Sequence, residues 1–135
     1  MTTEPPVFVG LVVVSHSRGI ADGTVELAGQ MAGPEVRLVA AGGMEDGSIG
    51  TDAVRIADAI RAADAGGGVV VVADLGSAVL STRTALELLG DPPTVRLSRG
   101  PIVEGAVIAA VQASTGSSLD EVLEAAEAAA SMPKG

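Results

Sequence analysis

The only histidine of the chain, His16, stands two residues after an apolar run that extends from Val7 to Val14. An apolar run of this length, bounded by small polar residues, predicts a buried parallel strand. Open α/β sheets place their chemistry at the carboxyl ends of such strands. An imidazole there can act as a general acid or base, or as a nucleophile that accepts a group covalently. The alternative is a loop histidine that only bonds a neighbouring carbonyl group.

A second candidate, Asp74, follows another apolar run, Val69–Ala73. A carboxylate that accepts a hydrogen bond from one imidazole nitrogen fixes the tautomer and leaves the other nitrogen's lone pair free to attack. If the strands lie in the order 2-1-3-4, the first and third are neighbours, and His16 and Asp74 meet across the crevice at the edge of the sheet. Asp74 could also cap the helix that begins near Ser77, and the sequence favours both roles about equally.

Small and hydroxyl-bearing residues surround both candidates. Free N–H groups at helix N-termini favour negative charge, so helices that begin near Thr51 and Ser77 are candidates for holding a phosphoryl group. Each small residue could equally serve an ordinary turn or cap, and Arg18 and Arg99 could contact a phosphate or simply be solvated. The candidate phosphoryl-binding residues are Ser15, Ser17, Gly50, Thr51, Gly76 and Ser77.

The composition argues against several classes of function. The chain has 135 residues, no cysteine and one aromatic residue, Phe8, so disulfides, thiol chemistry and base-stacking nucleic-acid modules are not expected. One histidine without cysteine is too little for a usual zinc site, and we expect neither a metal nor a cofactor. The formal charge of −9 disfavours nucleic acid and anionic membranes, and favours a partner with a basic face.

The sequence lacks the motifs of several known functional classes. The sequence has no GxxxxGK[ST] or GxGxxG pattern for a nucleotide, and no GxSxG elbow for a serine hydrolase. No segment has the pattern of a signal peptide or the length of a membrane-spanning helix. A cytoplasmic location is therefore expected.

Apolar runs alternate with helical patterns along the whole chain, which predicts a single α/β domain over residues 1–135. Short connections favour an open parallel sheet of about four strands with helices on both faces. We expect Thr51 to cap the second helix, Val54, Ile56, Ala57 and Ile60 to form its buried stripe, and Ser117 or Ser118 to cap the last. The predicted strands are Val7–Val14, Val36–Ala40, Val69–Ala73 and Thr94–Leu97. The predicted helices are Thr24–Met31, Thr51 or Asp52 to Ala63, Ser77–Leu89, Glu104–Ala113 and Leu119–Ala130.

Four segments together resemble one known family. They are Val12–Ser17 with Asp22 and Gly23, Asp46–Ala53, Asp74–Ala78 and Pro101–Ala106. The chain is similar to the phosphotransferase (M) subunit of the phosphoenolpyruvate-dependent dihydroxyacetone kinase, which is related to the mannose-type enzyme IIA domain of the sugar phosphotransferase system. The resemblance extends over nearly the whole chain and implies a flavodoxin-like parallel sheet and a homodimer.

The resemblance implies a phosphohistidine relay in the cytoplasm, as part of a phosphoenolpyruvate–glycerone phosphotransferase of glycerol metabolism. His16 would take a phosphoryl group from the phosphocarrier protein HPr and pass it to ADP on the L subunit of the kinase. The ATP formed there would phosphorylate dihydroxyacetone on the K subunit. Asp74 matches the carboxylate that bonds the active histidine in the related mannose-type domain. Some family members carry HPr-like and enzyme I-like domains after this one; this chain stops at Gly135, so a separate donor is expected.

Three alternatives stay open at this point. The phosphorylated histidine could signal to a partner in a regulatory binding module, or the acceptor could be a component of a mannose-type sugar permease. A small acid/base enzyme that uses His16 and Asp74 on a metabolite is the third, although the sequence offers it no second catalytic carboxylate and no aromatic pocket.

Overall fold

Four short apolar strands form one parallel sheet, and their order brings the two candidate residues together. In the computed structural model, which describes residues 7–135, the strands are β1 (Gly10–Ser15), β2 (Leu38–Gly42), β3 (Val69–Ala73) and β4 (Val95–Leu97). Their order is β2-β1-β3-β4, as predicted. Leu11 of β1 pairs with Leu38 of β2 on one side and Val70 of β3 on the other. The carboxyl ends of β1 and β3 therefore lie side by side.

Helices cover both faces of the sheet, which confirms the predicted architecture. They are α1 (Arg18–Ala32), α2 (Ala53–Ala63), α3 (Gly76–Leu88), α4 (Ile102–Ser114) and α5 (Leu119–Ala128), and a short 3₁₀ turn, Ala129–Ser131, follows α5. The first, fourth and fifth helices pack on one face, and the second and third on the other. Within the described residues, no helix combines the length and the hydropathy needed to cross a bilayer.

The core consists of small aliphatic side chains in two layers. Successive residues of a strand point to opposite faces, so Val70 and Val72 of β3 pack under α4 and α5, while Val69 and Val71 pack under α2 and α3. All four valines are fully buried. Burial of a valine side chain contributes about 1.5–3 kcal/mol to the free energy of unfolding. The four valines of β3 therefore contribute a large part of the stability of the sheet. Alanines on the covering helices let these helices approach the sheet closely.

The first helix begins earlier than the sequence pattern predicted. Residues 18–23, expected as a loop, form the first turns of α1, and Ser17 caps the helix by accepting from the Ile20 N–H at 3.3 Å. Gly19 and Gly23 lower the helix propensity of this segment, but burial of Ala21 against the sheet overrides that preference. The strand before it is shorter than expected: β1 begins at Gly10, and Val7 is exposed.

Two expectations about α2 were wrong, and one of the two alternatives for α5 is confirmed. Asp52 caps α2 instead of Thr51, because its carboxylate accepts from the Val54 and Arg55 N–H groups at 2.9 and 3.4 Å. Val54 is 60% exposed and does not belong to the buried stripe. Ser118 caps α5 in a reciprocal capping box with Glu121. The other element boundaries differ from the predicted ones by no more than two residues.

The start of β1 lies against the end of α2 so closely that only glycine fits there. A Cβ atom on Gly10 would stand 2.0 Å from the Ala63 carbonyl oxygen. Gly10→Ala should therefore lower the free energy of unfolding by about 3 kcal/mol, since backbone must move to relieve the overlap. Gly23→Ala is the matched control: it lies in α1 with no atom within 4 Å of its Cβ position, and should raise stability by about 0.5–1 kcal/mol. Urea unfolding of both variants measures the two effects, and equal stabilities would contradict this packing.

Candidate active site

His16 and Asp74 meet at the carboxyl edge of the sheet, just beyond β1 and β3. The ring Nδ1 of His16 lies 2.9 Å from Asp74 Oδ1, and the backbone N–H of His16 donates to Asp74 Oδ2 at 3.0 Å. An ionised carboxylate only accepts hydrogen bonds, so Nδ1 carries the proton and donates. The lone pair of the ring is then on Nε2. The histidine therefore has the tautomer of an oriented nucleophile or base.

The Asp74 carboxylate is held by four hydrogen bonds. Besides the two from His16, it accepts from the Ser15 hydroxyl at 2.8 Å and from the Leu75 N–H at 2.7 Å. Partial burial raises the pKa of the Asp74 carboxyl, but the bonds from the His16 backbone, the His16 ring and the Ser15 hydroxyl outweigh burial and hold the pKa below its ordinary value. Asp74 is therefore ionised and fixed in place near neutral pH.

The alternative role of Asp74, as a helix cap, is wrong. The N-cap residue of α3 is Leu75, and no side chain accepts a hydrogen bond from the first turn of that helix. Asp74 accepts a hydrogen bond from the Leu75 N–H, and Leu75 lies just before the first residue of the helix. Its hydrogen bonds tie Asp74 to β1 and to His16, as the orienting role requires.

Ser15 is fully buried behind this pair. Its hydroxyl donates to Asp74 and accepts from the Ser17 N–H at 3.0 Å, while the Ser17 hydroxyl caps α1. The structure therefore places the Ser15 side chain on the inner side of the carboxylate, and Ser17 at the helix terminus beside His16. A buried hydroxyl that bonds a carboxylate is suited to positioning it.

Ser77 lies on the opposite side of the imidazole, where its hydroxyl forms a hydrogen bond with Nε2. Gly76 and Ser77 are the first two residues of α3, and both are exposed. Free N–H groups of a first helical turn attract anions. The reactive nitrogen therefore faces a hydroxyl and a helix N-terminus that an incoming anion can reach.

The loop between β2 and α2 supports the backbone of the site. Gly43 donates its N–H to the Ser15 carbonyl at 3.1 Å, and Gly50 donates to the His16 carbonyl at 3.0 Å. Both glycines have positive φ, 69° and 148°, which side-chain-bearing residues rarely adopt. Position 42 also requires glycine, since a Cβ there would stand 2.8 Å from the Ser17 carbonyl oxygen. The sequence did not reveal this requirement.

Thr51 is joined to α3 and has no hydrogen bond to His16 in the described part of the chain. Its hydroxyl lies 2.6 Å from the Ser81 hydroxyl, so this pair ties the start of α2 to the first turns of α3. Ser81 was not predicted from the sequence, although a signal was present: it follows Ser77 by four residues and so lies on the same side of the helix.

The remaining candidates lie at the surface. Arg18 begins α1 and Arg99 follows β4, and both are exposed. Among residues 7–135, no group of three His, Cys, Asp or Glu side chains is arranged to hold a metal ion. The side chain of His16 is only 19% exposed. The site is thus a recessed, hydrogen-bonded imidazole with one reactive nitrogen that is accessible from the edge of the sheet.

Comparisons with known proteins point to one family. The family model EIIA-man, described as the PTS system fructose IIA component, matches residues 10–123. The phosphoryl donor subunit DhaM of the PEP-dependent dihydroxyacetone kinase of Providencia stuartii is 42% identical over 90% of this chain, but the match covers 26% of that protein. The chain thus spans about a quarter of that relative.

Other relatives match along nearly their full length. The phosphoryl donor subunit DhaM of PEP-dependent dihydroxyacetone kinase 2 from Listeria innocua is 38% identical, over 86% of this chain and 94% of that protein. The fold is similar to the crystal structure of a protein of unknown function, EF1359, with a TM-score of 0.84. The two sequences are 36% identical, and the alignment covers 95% of this chain and 98% of that one. The family expected from the sequence is confirmed: the chain belongs to the mannose-type enzyme IIA family, among the DhaM phosphotransferase subunits.

Proposed function

We propose that this chain is a phosphohistidine carrier: His16 accepts a phosphoryl group from HPr and transfers it to ADP on the L subunit of dihydroxyacetone kinase. The K subunit would then use the resulting ATP on dihydroxyacetone. The observation that carries the proposal is the bond from Nδ1 to Asp74, which leaves Nε2 as the nucleophile at the open edge of the sheet. The relatives named as phosphoryl donor subunits of this kinase support the choice of acceptor.

The transfer needs little chemistry beyond alignment. The Nε2 lone pair forms a bond to phosphorus while the bond from phosphorus to the donor atom breaks, and that electron pair stays with the donor. In the second half-reaction an oxygen of the ADP β-phosphate attacks phosphorus, and the Nε2–P electron pair returns to the ring. The Nδ1 proton stays in place throughout, and Asp74 balances the positive charge that develops on the ring. Such loose transition states depend on positioning and electrostatic stabilisation.

The surrounding residues divide into two roles in this proposal. Gly76 and Ser77 bind the phosphoryl group: the Ser77 hydroxyl leaves Nε2 and bonds a phosphoryl oxygen, and the N-terminus of α3 supplies N–H groups. Ser17, at the start of α1, contributes on the other side. Thr51 acts through its bond to Ser81 by keeping α2 and α3 together at the site. Ser15 positions Asp74 from behind. A homodimer in the cytoplasm is the expected working form.

One alternative acceptor has an observation in its favour. The matching family model is described as a fructose IIA component of the sugar phosphotransferase system. A sugar permease component could therefore take the phosphoryl group from His16 in place of ADP. The geometry of the imidazole serves both acceptors equally, so only a transfer experiment separates them.

Labelling by phosphoenolpyruvate through enzyme I and HPr tests the carrier function. The wild-type chain should take up an acid-labile, base-stable label, whereas His16→Ala should take up none, because no other imidazole exists in the chain. Glu26→Gln, an exposed change on α1, is the control and should label normally. Adding the L and K subunits with ADP and dihydroxyacetone should then remove the label. Label that stays on the chain would indicate a regulatory module, and label that moves only to a permease component would identify the other acceptor.

Replacing the orienting carboxylate should slow transfer strongly without unfolding the chain. Asp74→Asn cannot balance the charge on the ring and no longer enforces the Nδ1–H tautomer, so the transfer rate should fall about 10²–10⁴-fold. Rapid-quench measurement of label transfer from HPr gives this rate. An unchanged rate, with an unchanged unfolding transition, would remove Asp74 from the mechanism.

The lowered pKa of Asp74 predicts a dependence of stability on acid. The folded state binds the proton less tightly than the unfolded state, whose carboxyl titrates near 3.8. The carboxylate thus contributes stability that is complete above that pH and is lost as pH falls through the lower folded pKa. The free energy gap between His16→Gln and the double variant with Asp74→Asn should be constant from pH 7 to 5 and shrink below about 3.8. Urea unfolding across this range measures the gap, and a gap that widens in acid would contradict the assigned hydrogen bonds.

Ser15→Ala tests whether the buried hydroxyl positions the carboxylate. Loss of a hydrogen bond to a charged group costs about 1.5 kcal/mol, which corresponds to roughly a tenfold fall in kcat for transfer. KM for phosphorylated HPr should stay unchanged, because the hydroxyl is buried and does not face the partner. A rise in KM with constant kcat would instead make Ser15 part of a binding surface.

A further inference from the structure

Three of the eight basic residues of the chain line one cleft between α3 and β4, which we call the arginine cleft. Arg83 belongs to α3, Arg96 to β4, and Arg99 to the loop that follows β4. None of the residues that line the cleft is acidic, although the chain has 17 acidic residues. The arginine cleft is therefore a concentration of positive charge on a chain whose formal charge is −9.

Most of the hydrogen-bond donors in this cleft are unused. Within residues 7–135, the side chains of Arg83 and Arg99 form no hydrogen bond and no ion pair, and both residues are exposed. Arg96 uses one nitrogen, which donates to Asp120 at 2.9 Å. Like charges gathered in one cleft repel each other, and an anion bound among them relieves that repulsion. The donors are therefore available to an anion.

The backbone that carries the donors is fixed. The N–H of Arg99 donates to Glu127 at 2.9 Å, and the N–H of Ser98 donates to the Val71 carbonyl at 2.9 Å. Arg83 lies inside α3, more than one turn from either end of the helix. Binding costs less conformational entropy when the segments that hold the ligand are already ordered. Only side-chain rotamers have to adjust when an anion enters.

The rest of the lining is mostly apolar and limits the size of the ligand. Val79 and Leu86 line the cleft from α3, and Val95 and Leu97 line it from β4. The volume of the cleft is about 310 Å³, which is at the lower end for pockets that bind small molecules. Apolar walls of this kind favour a ligand with a carbon skeleton over a bare hydrated ion.

The arrangement of the arginines favours phosphate as the anionic group. A guanidinium group forms paired hydrogen bonds with the oxygens of a phosphate or a carboxylate. A carboxylate has two oxygens, whereas a phosphate monoester has three terminal oxygens and a larger charge. Guanidinium groups that come from a helix, a strand and a loop can therefore be used more fully by a phosphate.

The arginine cleft is separate from the candidate active site. Neither His16 nor Asp74 lines it, and the same is true of Ser77. Only α3 is common to both places: its first turn lies at Nε2 of His16, and its later turns form one wall of the cleft. An anion in the cleft is thus not the phosphoryl group of the imidazole.

We propose that the arginine cleft binds a small organic phosphate. Arg83 and Arg99 hold the phosphate group, with the free nitrogens of Arg96 beside it, and the carbon skeleton packs against Val79 and Leu97. The site does not depend on the proposed carrier function, because the imidazole takes no part in it.

A methyl NMR titration with phenyl phosphate tests the site and locates it. The methyl signals of Val79, Leu86 and Leu97 should shift along one saturable curve. Inorganic phosphate, which lacks the carbon skeleton, should bind about tenfold more weakly, and phenol, which lacks the charge, should cause no shift. Benzoate that binds as tightly as phenyl phosphate would overturn the choice of phosphate. The site itself is overturned if no signal saturates, or if only the amide signals of Gly76 and Ser77 shift.

Charge-removing variants test the role of the arginines. Arg83→Gln and Arg99→Gln should each raise the Kd for phenyl phosphate about tenfold, since each removes hydrogen bonds to a charged group. Arg61→Gln is the matched control: it makes the same change in net charge, but Arg61 is an exposed residue of α2 that pairs with Asp58 and does not line the cleft. Its Kd should equal that of the wild type. An equal rise in all three variants would show a general effect of net charge and overturn the site.

Sedimentation velocity of the same variants tests a second copy of this chain as the occupant. A ligand site predicts the same sedimentation coefficient for the wild type, Arg83→Gln and Arg99→Gln. If the two variants change the oligomeric state while phenyl phosphate fails to bind the wild type, the cleft is an interface between copies, and the ligand proposal is overturned.

Discussion

A single carboxylate joins the two strands on which the site depends. Asp74 follows β3, and three of the four hydrogen bonds that it accepts come from Ser15 and His16 at the end of β1. A carboxylate has about four acceptor positions, and all of them are used here. Under the proposed function, neither oxygen is therefore free to turn towards the incoming phosphoryl group and repel it. The negative charge is available to the imidazole through Nδ1 and is kept away from the reacting side of the ring.

The sheet order makes this arrangement possible, and the neighbouring loop makes it rigid. With β1 between β2 and β3, the end of β1 receives support from both sides: Asp74 from the β3 side, and the N–H groups of Gly43 and Gly50 from the β2 side. These glycines adopt backbone angles that other residues avoid, and Gly42 has no room for a side chain. His16 is thus held by backbone contacts on the β2 side as well as by the Asp74 carboxylate on the β3 side. The fully buried valines of β1 and β3 hold those contacts in register.

The sequence pattern predicted the strands and helices, and it predicted the contact between His16 and Asp74 on the condition of the sheet order 2-1-3-4, which the structure shows. It did not predict the local hydrogen bonding. Buried strands have a strong hydrophobic signal, so the four strands and their alternation with helices could be predicted. The start of α1 was missed because Gly19 and Gly23 have poor helix propensity, and only tertiary packing of Ala21 compensates for it. Thr51 and Asp52 are both good cap residues, and which of them caps α2 depends on the backbone of the preceding loop.

The hydrogen-bond partners of the hydroxyl groups in the site could not be predicted from the sequence either. Ser15 directly precedes His16 and Ser77 follows Asp74 by three residues, and nothing in these positions shows that Ser15 is buried behind the carboxylate while Ser77 is exposed at Nε2. Alternation along β1 places Ser15 opposite to its neighbours, but only the position of β3 decides what it bonds. The proposed carrier function also requires that the phosphoryl group be released as readily as it is accepted. Within residues 7–135, no lysine or arginine side chain is hydrogen-bonded to His16, Asp74 or Ser77. A hydroxyl and helix-terminal amides stabilise a phosphoryl group less strongly than ion pairs do, so under the proposed function a site built from them would not trap the group on the imidazole.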